Sequence, residues 1–292
     1  MMDIGIDIGG THIKGVLLGK DTVVDRVHQA TRDGEDNWQE TVAEVYRKLS
    51  DLAGGQINSV GISAPGIADK ANRAIAYMPV RLQGLERFIW SDFLGRDTYV
   101  LNDAHAALWA ESQWGAGKGI LNQMMLTLGT GVGGGLLVEG RLLQGFLQRA
   151  GHLGHISVDA SSEIPSITGI TGSLEEAVGE TSLSRRSRGR FETTYELVQA
   201  HLAGDTWATY IWLDSIKKLA LGISSLCNAL SPELVVLAGG ITKAGDTLMN
   251  ALQAFMELYE WRPGGQATPI RIAHFKDYAG AIGAALFARS RF

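Results

Sequence analysis

The chain has 292 residues and one cysteine, Cys227, so no disulfide can close within it. That excludes a disulfide-stapled scaffold and makes the reducing cytoplasm the expected compartment. An excess of basic residues is also missing. Lys and Arg total 26 against 31 Asp and Glu, for a net charge of −5. Nucleic acid is therefore not an expected partner, because binding it calls for a basic face. No apolar run approaches the roughly 20 residues needed to span a bilayer, so no membrane partner is expected. The N-terminus lacks the basic and apolar regions of a secretion signal. Apolar residues make up 45% and charged residues 20%, the balance of an ordinary globular protein. A chain this long is expected to split into two lobes. Glycine is plentiful, with 37 residues clustered in short motifs and not in a repeat.

The first motif opens the chain. Ile4, Ile6 and Ile8 alternate with Gly5 and Asp7, the period of a strand. Val16, Leu17 and Leu18 resume an apolar run, which predicts a hairpin turning at Gly9-Gly10. Glycines there let backbone N–H groups approach an anion. Asp7 points at the same place, and a carboxylate beside a phosphate site suits Mg²⁺. A plain strand with a tight turn fits this hairpin equally well. A second motif follows: an apolar strand from Gln123 to Leu128 breaks at Gly129-Thr130-Gly131-Val132-Gly133-Gly134-Gly135 and resumes at Leu136-Leu137-Val138. A third glycine pair, Gly239-Gly240, follows a strand from Leu234 to Leu237. Two glycine hairpins facing one cleft would clamp a nucleotide's phosphates, and the third pair would admit adenosine.

Between these motifs, helices are expected from Asn37 to Leu52, Asp103 to Trp114, Trp212 to Leu230, Gly245 to Tyr259 and Ala279 to Arg289. Strands are expected from Ile57 to Ile62, running into a turn at Ser63-Ala64-Pro65-Gly66, and from Thr98 to Leu101. Asn102 or Asp103 suits the N-cap of the helix that follows. Arg185, Arg186, Arg188 and Arg190 read as a solvated helix start or loop. Trp90 and Trp109 read as core residues in preference to sugar platforms, and Cys227 as a buried structural thiol.

Taken in order, these residues resemble the ROK family (repressors, open reading frames and sugar kinases) of the actin-like, hexokinase-type ATPase fold. The resemblance rests on Asp7-Ile8-Gly9-Gly10-Thr11 with Lys14, Ala64-Pro65-Gly66, and Leu101-Asn102-Asp103-Ala104 with Glu111. It continues through the second hairpin, Gly154-His155, Gly172 with Leu174-Glu175, Leu237-Ala238-Gly239-Gly240 and the run from Ala279 to Ala285. It implies a two-lobed α/β fold of ribonuclease H-like type, with nucleotide and sugar in the interlobe cleft. The N-terminal lobe would be residues 1–115, with the C-terminal helix at about 279–292 packing back on it. The C-terminal lobe would be residues 116–278. ATP and Mg²⁺ are the implied cofactors, with Asp7 holding Mg²⁺ through water. Asp103 is the implied general base at a sugar hydroxyl, usually that at C6, with Asn102 beside it on the sugar. Gly9, Gly10, Thr11, Lys14, Gly129, Thr130, Gly131, Gly239 and Gly240 are the implied nucleotide contacts. Pro65 and Gly66 belong to the substrate side. A homodimer is expected on family grounds alone.

The chain departs from the family pattern in three places. His152 replaces the glutamate of Gly-Glu-x-Gly-His in Gly151-His152-Leu153-Gly154-His155. The family's zinc cysteines fall on Ser166, Thr168 and Ser173, and hydroxyls are poor zinc ligands. No structural zinc is expected, and hydrogen bonds and packing must hold the segment from Asp159 to Gly172. His152, His155 and Glu175 are the expected sugar-recognition set. The two histidines would share a face only in a helix, which the flanking glycines disfavour. Near Met78-Pro79-Val80-Arg81-Leu82, Val80 takes the place of a sugar-reaching asparagine, leaving Arg81 as the substitute.

A sugar kinase is therefore the leading expectation, with glucose as the first substrate. N-acetylmannosamine, N-acetylglucosamine, fructose or a β-glucoside follow. A catalytically silent sugar or nucleotide sensor is the alternative. A sugar-responsive repressor is disfavoured, because the first strand begins at Asp3 and leaves no room for a DNA-binding domain ahead of it.

Overall fold

The computed structural model describes residues 2–31, 38–78, 82–166 and 168–291. Asn37, Val80 and Arg81 lie outside the described residues. The chain folds as two units. One comprises Met1–Gly119, Arg141–Ala150 and His274–Phe292, and the other Ile120–Gly140 and Gly151–Ala273.

The first unit is built on a five-stranded sheet. β1 (Met2–Ile8) pairs antiparallel with β2 (His12–Leu18) and parallel with β4 (Ile57–Ala64). β3 (Val23–Ala30) and β5 (Thr98–Asn102) flank them in the order β3-β2-β1-β4-β5. β4 runs through Ser63 and Ala64, which the sequence pattern places in a turn; both pair in register with β5. β3 is not apparent from sequence, because its residues alternate between half-buried and exposed and carry no apolar run. One face of the sheet is covered by α1 (Trp38–Leu52), which buries Val42, Val45 and Leu49.

The other face is covered by the C-terminal helix Ala279–Arg289. The small residues of that helix allow close approach. A Cβ on Gly61 would strike the carbonyl of Ala284, and one on Gly283 would strike the carbonyl of Ala106. Arg289 then closes the helix onto β1. Its Nε lies 2.7 Å from a buried Asp3 oxygen, and its other nitrogens donate to the carbonyls of Gly19 and Lys20. Trp90 is fully buried among Trp38, Phe88 and Phe93, and Trp109 stands edge-on to Phe287.

In the second unit, β6 (Gln123–Leu128), β7 (Val132–Val138), β8 (Leu234–Ala238) and β9 (Ile270–Ile272) run in the order β7-β6-β8-β9. The strand expected to resume at Leu136 already begins at Val132. Gly133, Gly134 and Gly135 are strand residues paired with Thr127, Leu126 and Met125. A glycine run therefore does not by itself mark a turn, since backbone pairing needs no side chain. The long helix, α4 (Thr206–Leu230), opens earlier than its apolar pattern suggests, because Asp205 caps it by accepting the Ala208 N–H at 2.8 Å. Ahead of it, α2 (Asp103–Trp114) belongs to the first unit and α3 (Leu174–Val178) to the second.

Candidate functional site

In the first unit, β1 delivers Asp7 to the base of the first hairpin. Gly9 N–H donates to the His12 carbonyl at 3.0 Å and closes the turn. Thr31 fixes the turn from outside, donating its hydroxyl to Gly9 O at 2.5 Å and its N–H to Thr11 O at 2.9 Å. Gly10 and Thr11 are left at an accessible apex. Lys14 stands opposite Asp7 in the β1–β2 register.

The Asp7 carboxyl is pushed up to about 6. Burial raises it most, the Ser63 hydroxyl at 2.5 Å lowers it, the charge of Asp103 raises it, and Lys14 lowers it. A buried carboxylate whose proton affinity is raised further by the charge of a neighbouring one is a fitting donor for a divalent cation, which would relieve the repulsion.

Asp103 is the first residue of α2. Asn102 caps that helix, its Oδ1 accepting from Ala104 N–H at 3.0 Å and His105 N–H at 3.3 Å. Asn102 Nδ2 donates to Gly66 O at 2.9 Å. The structure thus brings together two residues expected on the substrate side. Gly66 has a φ of 98°, open to glycine, and a Cβ there would collide with the Tyr77 carbonyl. Pro65, half-buried, precedes it.

Desolvation holds the Asp103 carboxyl above its ordinary value, opposed by the Ala104 N–H and by Asn102. Its side chain keeps contact with solvent, so the desolvation is partial. Glu111, at the far end of α2, is fully buried. It accepts the Ala116 N–H at 2.7 Å and the Phe275 N–H at 2.8 Å. The family pattern includes this residue without giving it a role; a glutamate within an alanine-rich buried helix is the signal that could have found one.

In the second unit, the turn Gly129-Thr130-Gly131 is closed by Gly129 N–H donating to Gly131 O at 3.0 Å. The Gly129 and Thr130 carbonyls accept from the N–H groups of Glu180 and Thr181 at 2.9 and 3.0 Å. The turn opens on a cavity of about 430 Å³ that Gly240, Lys243, Tyr195 and Gln199 also line. This volume lies within the usual range of small-molecule sites, about 300–1,000 Å³. Gly129, Thr130 and Gly240 are thereby brought together. Lys243 and Tyr195 carry no motif in the sequence: one sits on a 3-10 turn after Gly240, the other at the head of a capped helix Thr194–Leu202.

His152 and His155 share a 3-10 turn, with parallel rings whose centroids lie 6.4 Å apart. The expectation that glycines keep them from one face is corrected: Gly154 is what lets the turn lie against the Val132 carbonyl, where a Cβ would collide. Burial lowers the His152 pKa, with His155 adding to the effect. Glu175 is engaged elsewhere. Its Oε2 accepts the Val132 N–H at 3.0 Å, beside Gly131, so it braces the glycine turn.

At the expected zinc positions, the Ser166 and Thr168 hydroxyls lie 2.9 Å apart, and Ser173 caps α3 through the Glu176 N–H. The segment is anchored by Asp159 to Lys218 at 3.0 Å. Arg185, Arg188 and Arg190 of the arginine run are exposed, as expected, and Arg186 is half-buried, yet all four have partners. Arg186 donates to the Ser182 and Ser215 hydroxyls and to the Gly179 carbonyl, Arg185 pairs with Glu176, Arg190 pairs with Asp205, and Arg188 lies over Trp207. Ser215, Asp205 and Trp207 are partners that no local motif marks, because they lie on or next to a later helix.

Known proteins resemble this chain over nearly its whole length. The chain is 32% identical to a glucokinase of Halalkalibacterium halodurans, with 96% of this chain and 92% of that protein covered. It is 29% identical to an N-acetylmannosamine kinase of Yersinia pestis, with 98% of each covered. The structure of a ROK hexokinase from Thermus thermophilus superposes with a TM-score of 0.88 at 31% identity, covering 100% of this chain and 99% of that one. The fold is thus the α/β fold of that hexokinase. The ROK family model matches residues 3–291, and the chain belongs to the ROK family.

Proposed function

We propose that this protein is an ATP-dependent sugar kinase that transfers the γ-phosphate of ATP to a hexose hydroxyl, that at C6, with glucose the first substrate. The observation that carries the reading is Asp103. It is a carboxylate fixed at a helix start by its capping neighbour Asn102, with its proton affinity raised by burial and its charge acting on Asp7. Phosphoryl transfer asks little of a protein beyond alignment, charge neutralisation and one base at the nucleophile. Asp103 would accept the hydroxyl proton as the sugar oxygen attacks. Asn102 and Gly66, joined by a hydrogen bond, would set the sugar's position. His152 and His155 would hydrogen-bond sugar hydroxyls, and Glu175 would hold the second glycine turn in shape.

On the nucleotide side, the backbone at Gly9-Gly10-Thr11 and Gly129-Thr130-Gly131 would meet the phosphates, with Lys14 adding charge. Gly239 and Gly240 would admit the adenosine, beside the cavity lined by Tyr195 and Lys243. Asp7 would hold Mg²⁺ through water; bound there, the ion neutralises phosphate charge. The related glucokinase and N-acetylmannosamine kinase bracket the sugar. His152 at the position of the family's glutamate is the feature expected to separate them. A coupled ADP-release assay with Mg-ATP across hexoses and N-acetylhexosamines tests the reading. Turnover on glucose supports it. Turnover on another sugar moves the substrate, and none on any sugar favours the silent sensor.

A further inference from the structure

A second cavity of about 340 Å³ lies in the second unit, with Arg185, Arg186, Arg188, Lys218 and Trp207 in its wall. The proposed reaction uses none of these residues. Three carboxylates also face the cavity, but each is already engaged: Glu176 by Arg185, and Asp159 and Asp214 by Lys218 at 3.0 and 2.9 Å. Arg186 has no carboxylate partner among the described residues. Its guanidinium is half-buried and donates only to neutral acceptors: the Ser182 hydroxyl at 2.9 Å, the Ser215 hydroxyl at 2.6 Å and the Gly179 carbonyl at 3.2 Å. Burial pulls its pKa down to about 10, and Arg185 adds to this, while the charges of Asp214 and Glu176 oppose it without bonding to the guanidinium. Arg188 makes no ion pair among the described residues and rests over Trp207, 5.2 Å from the ring centre. It also borders a smaller adjoining cavity with Arg190 and Trp207.

We propose that this cavity is a second binding site, for a small organic phosphate of phosphosugar size, coupled to the Gly129-Thr130 turn. Planar guanidinium groups with free N–H donors match the oxygens of a phosphate dianion. The volume exceeds what an inorganic ion needs and suits a ligand with a sugar-sized body.

The route to the turn is short and continuous. Gly179, whose carbonyl accepts from Arg186, directly precedes Glu180 and Thr181, and their N–H groups hold the Gly129 and Thr130 carbonyls. Helix α3 adds a parallel link, with Glu175 bracing the turn at Val132 and its neighbour Glu176 facing the cavity. An occupant that draws Arg186 toward itself loosens its grip on Gly179, and so acts on the turn. The coupling rests on the proposed role of that turn in nucleotide binding; the site itself does not.

The test is calorimetric titration of the full chain with glucose 6-phosphate, with inorganic phosphate in parallel. AMPPNP and glucose are present in a second series to fill the proposed active site. Binding is expected to persist in that series. Arg188→Ala, an exposed position that leaves the fold intact, should weaken it about tenfold, as should Arg186→Lys, which keeps charge but loses the planar fork. Asp103→Asn should leave it unchanged. Glucose 6-phosphate should also shift the KM for ATP in the wild type and not in Arg188→Ala. Absence of binding, binding abolished by AMPPNP and glucose, binding indifferent to both arginine variants, or equal affinity for inorganic phosphate would overturn the phosphosugar site. An unmoved KM for ATP would overturn the coupling alone. Failure of the kinase reading would show separately, as no ADP release, while the calorimetry still reports on the site.

Discussion

At the scale of single residues, the proposed chemistry rests on two aspartates. Asp103→Asn keeps the capped helix start and the size of the side chain but removes the proposed base. Turnover should fall by about 10²–10⁴-fold, the usual worth of a general base, while ATP affinity, read by calorimetry, stays within a few-fold. Unchanged turnover would refute the assignment. Asp7 carries a pH consequence. Its carboxyl rises from the ordinary carboxylate range to about 6 in the folded state, so between pH 4 and 6 the folded chain binds more protons than the unfolded one. The stability of the metal-free protein attributable to this group is therefore complete below about pH 4 and declines until about pH 6. Asp7→Asn should raise the Tm above pH 6 in EDTA, and added Mg²⁺ should narrow the gap by stabilising only the wild type. A variant with no higher Tm at pH 7 would contradict the assigned burial.

At the scale of elements, the glycine motifs act through the backbone they leave uncovered. Helix α2 depends on a buried acid that serves two other segments. Glu111 accepts N–H groups at Ala116 and Phe275, close to two of the four places where the chain passes from one unit to the other. Glu111→Ala would remove the carboxylate that both half-buried donors use, at a cost of about 1–3 kcal/mol measured by urea unfolding. Glu111→Gln, which keeps one acceptor oxygen, should lose less. The sequence makes α1, α2, β1 and the C-terminal helix legible, because each carries a strong apolar period or a dense small-residue run. The residues added to α4 ahead of Trp212 are not legible, because a cap at Asp205 extends a helix without adding apolar pattern.

At the scale of the molecule, hydroxyl contacts stand where the family's zinc ligands would be. Treatment with a zinc chelator, followed by excess Mg²⁺, should leave turnover and Tm unchanged; a lowered Tm restored by Zn²⁺ would show that the segment needs metal. The C-terminal helix closes the first unit through the fit of Gly61 against Ala284 and of Gly283 against Ala106. Gly61→Ala should cost several kcal/mol or abolish soluble expression, because the obstructing atoms are backbone and cannot rotate away.

The sequence by itself determined the order of the glycine motifs, the aspartate at the head of α2 and the loss of the zinc cysteines, and with these the family. Such features are local: a hairpin, a cap or a missing thiolate is read within a few residues of chain. Only the tertiary structure decided that Glu175 braces the Gly131 turn, that Asn102 holds Gly66, that the two histidines stack, and that Arg186 and Arg188 face a cavity without a carboxylate partner among the described residues. Whether a charged side chain meets water, a partner or an empty pocket depends on segments distant in the chain that folding brings together, and no period or motif encodes that.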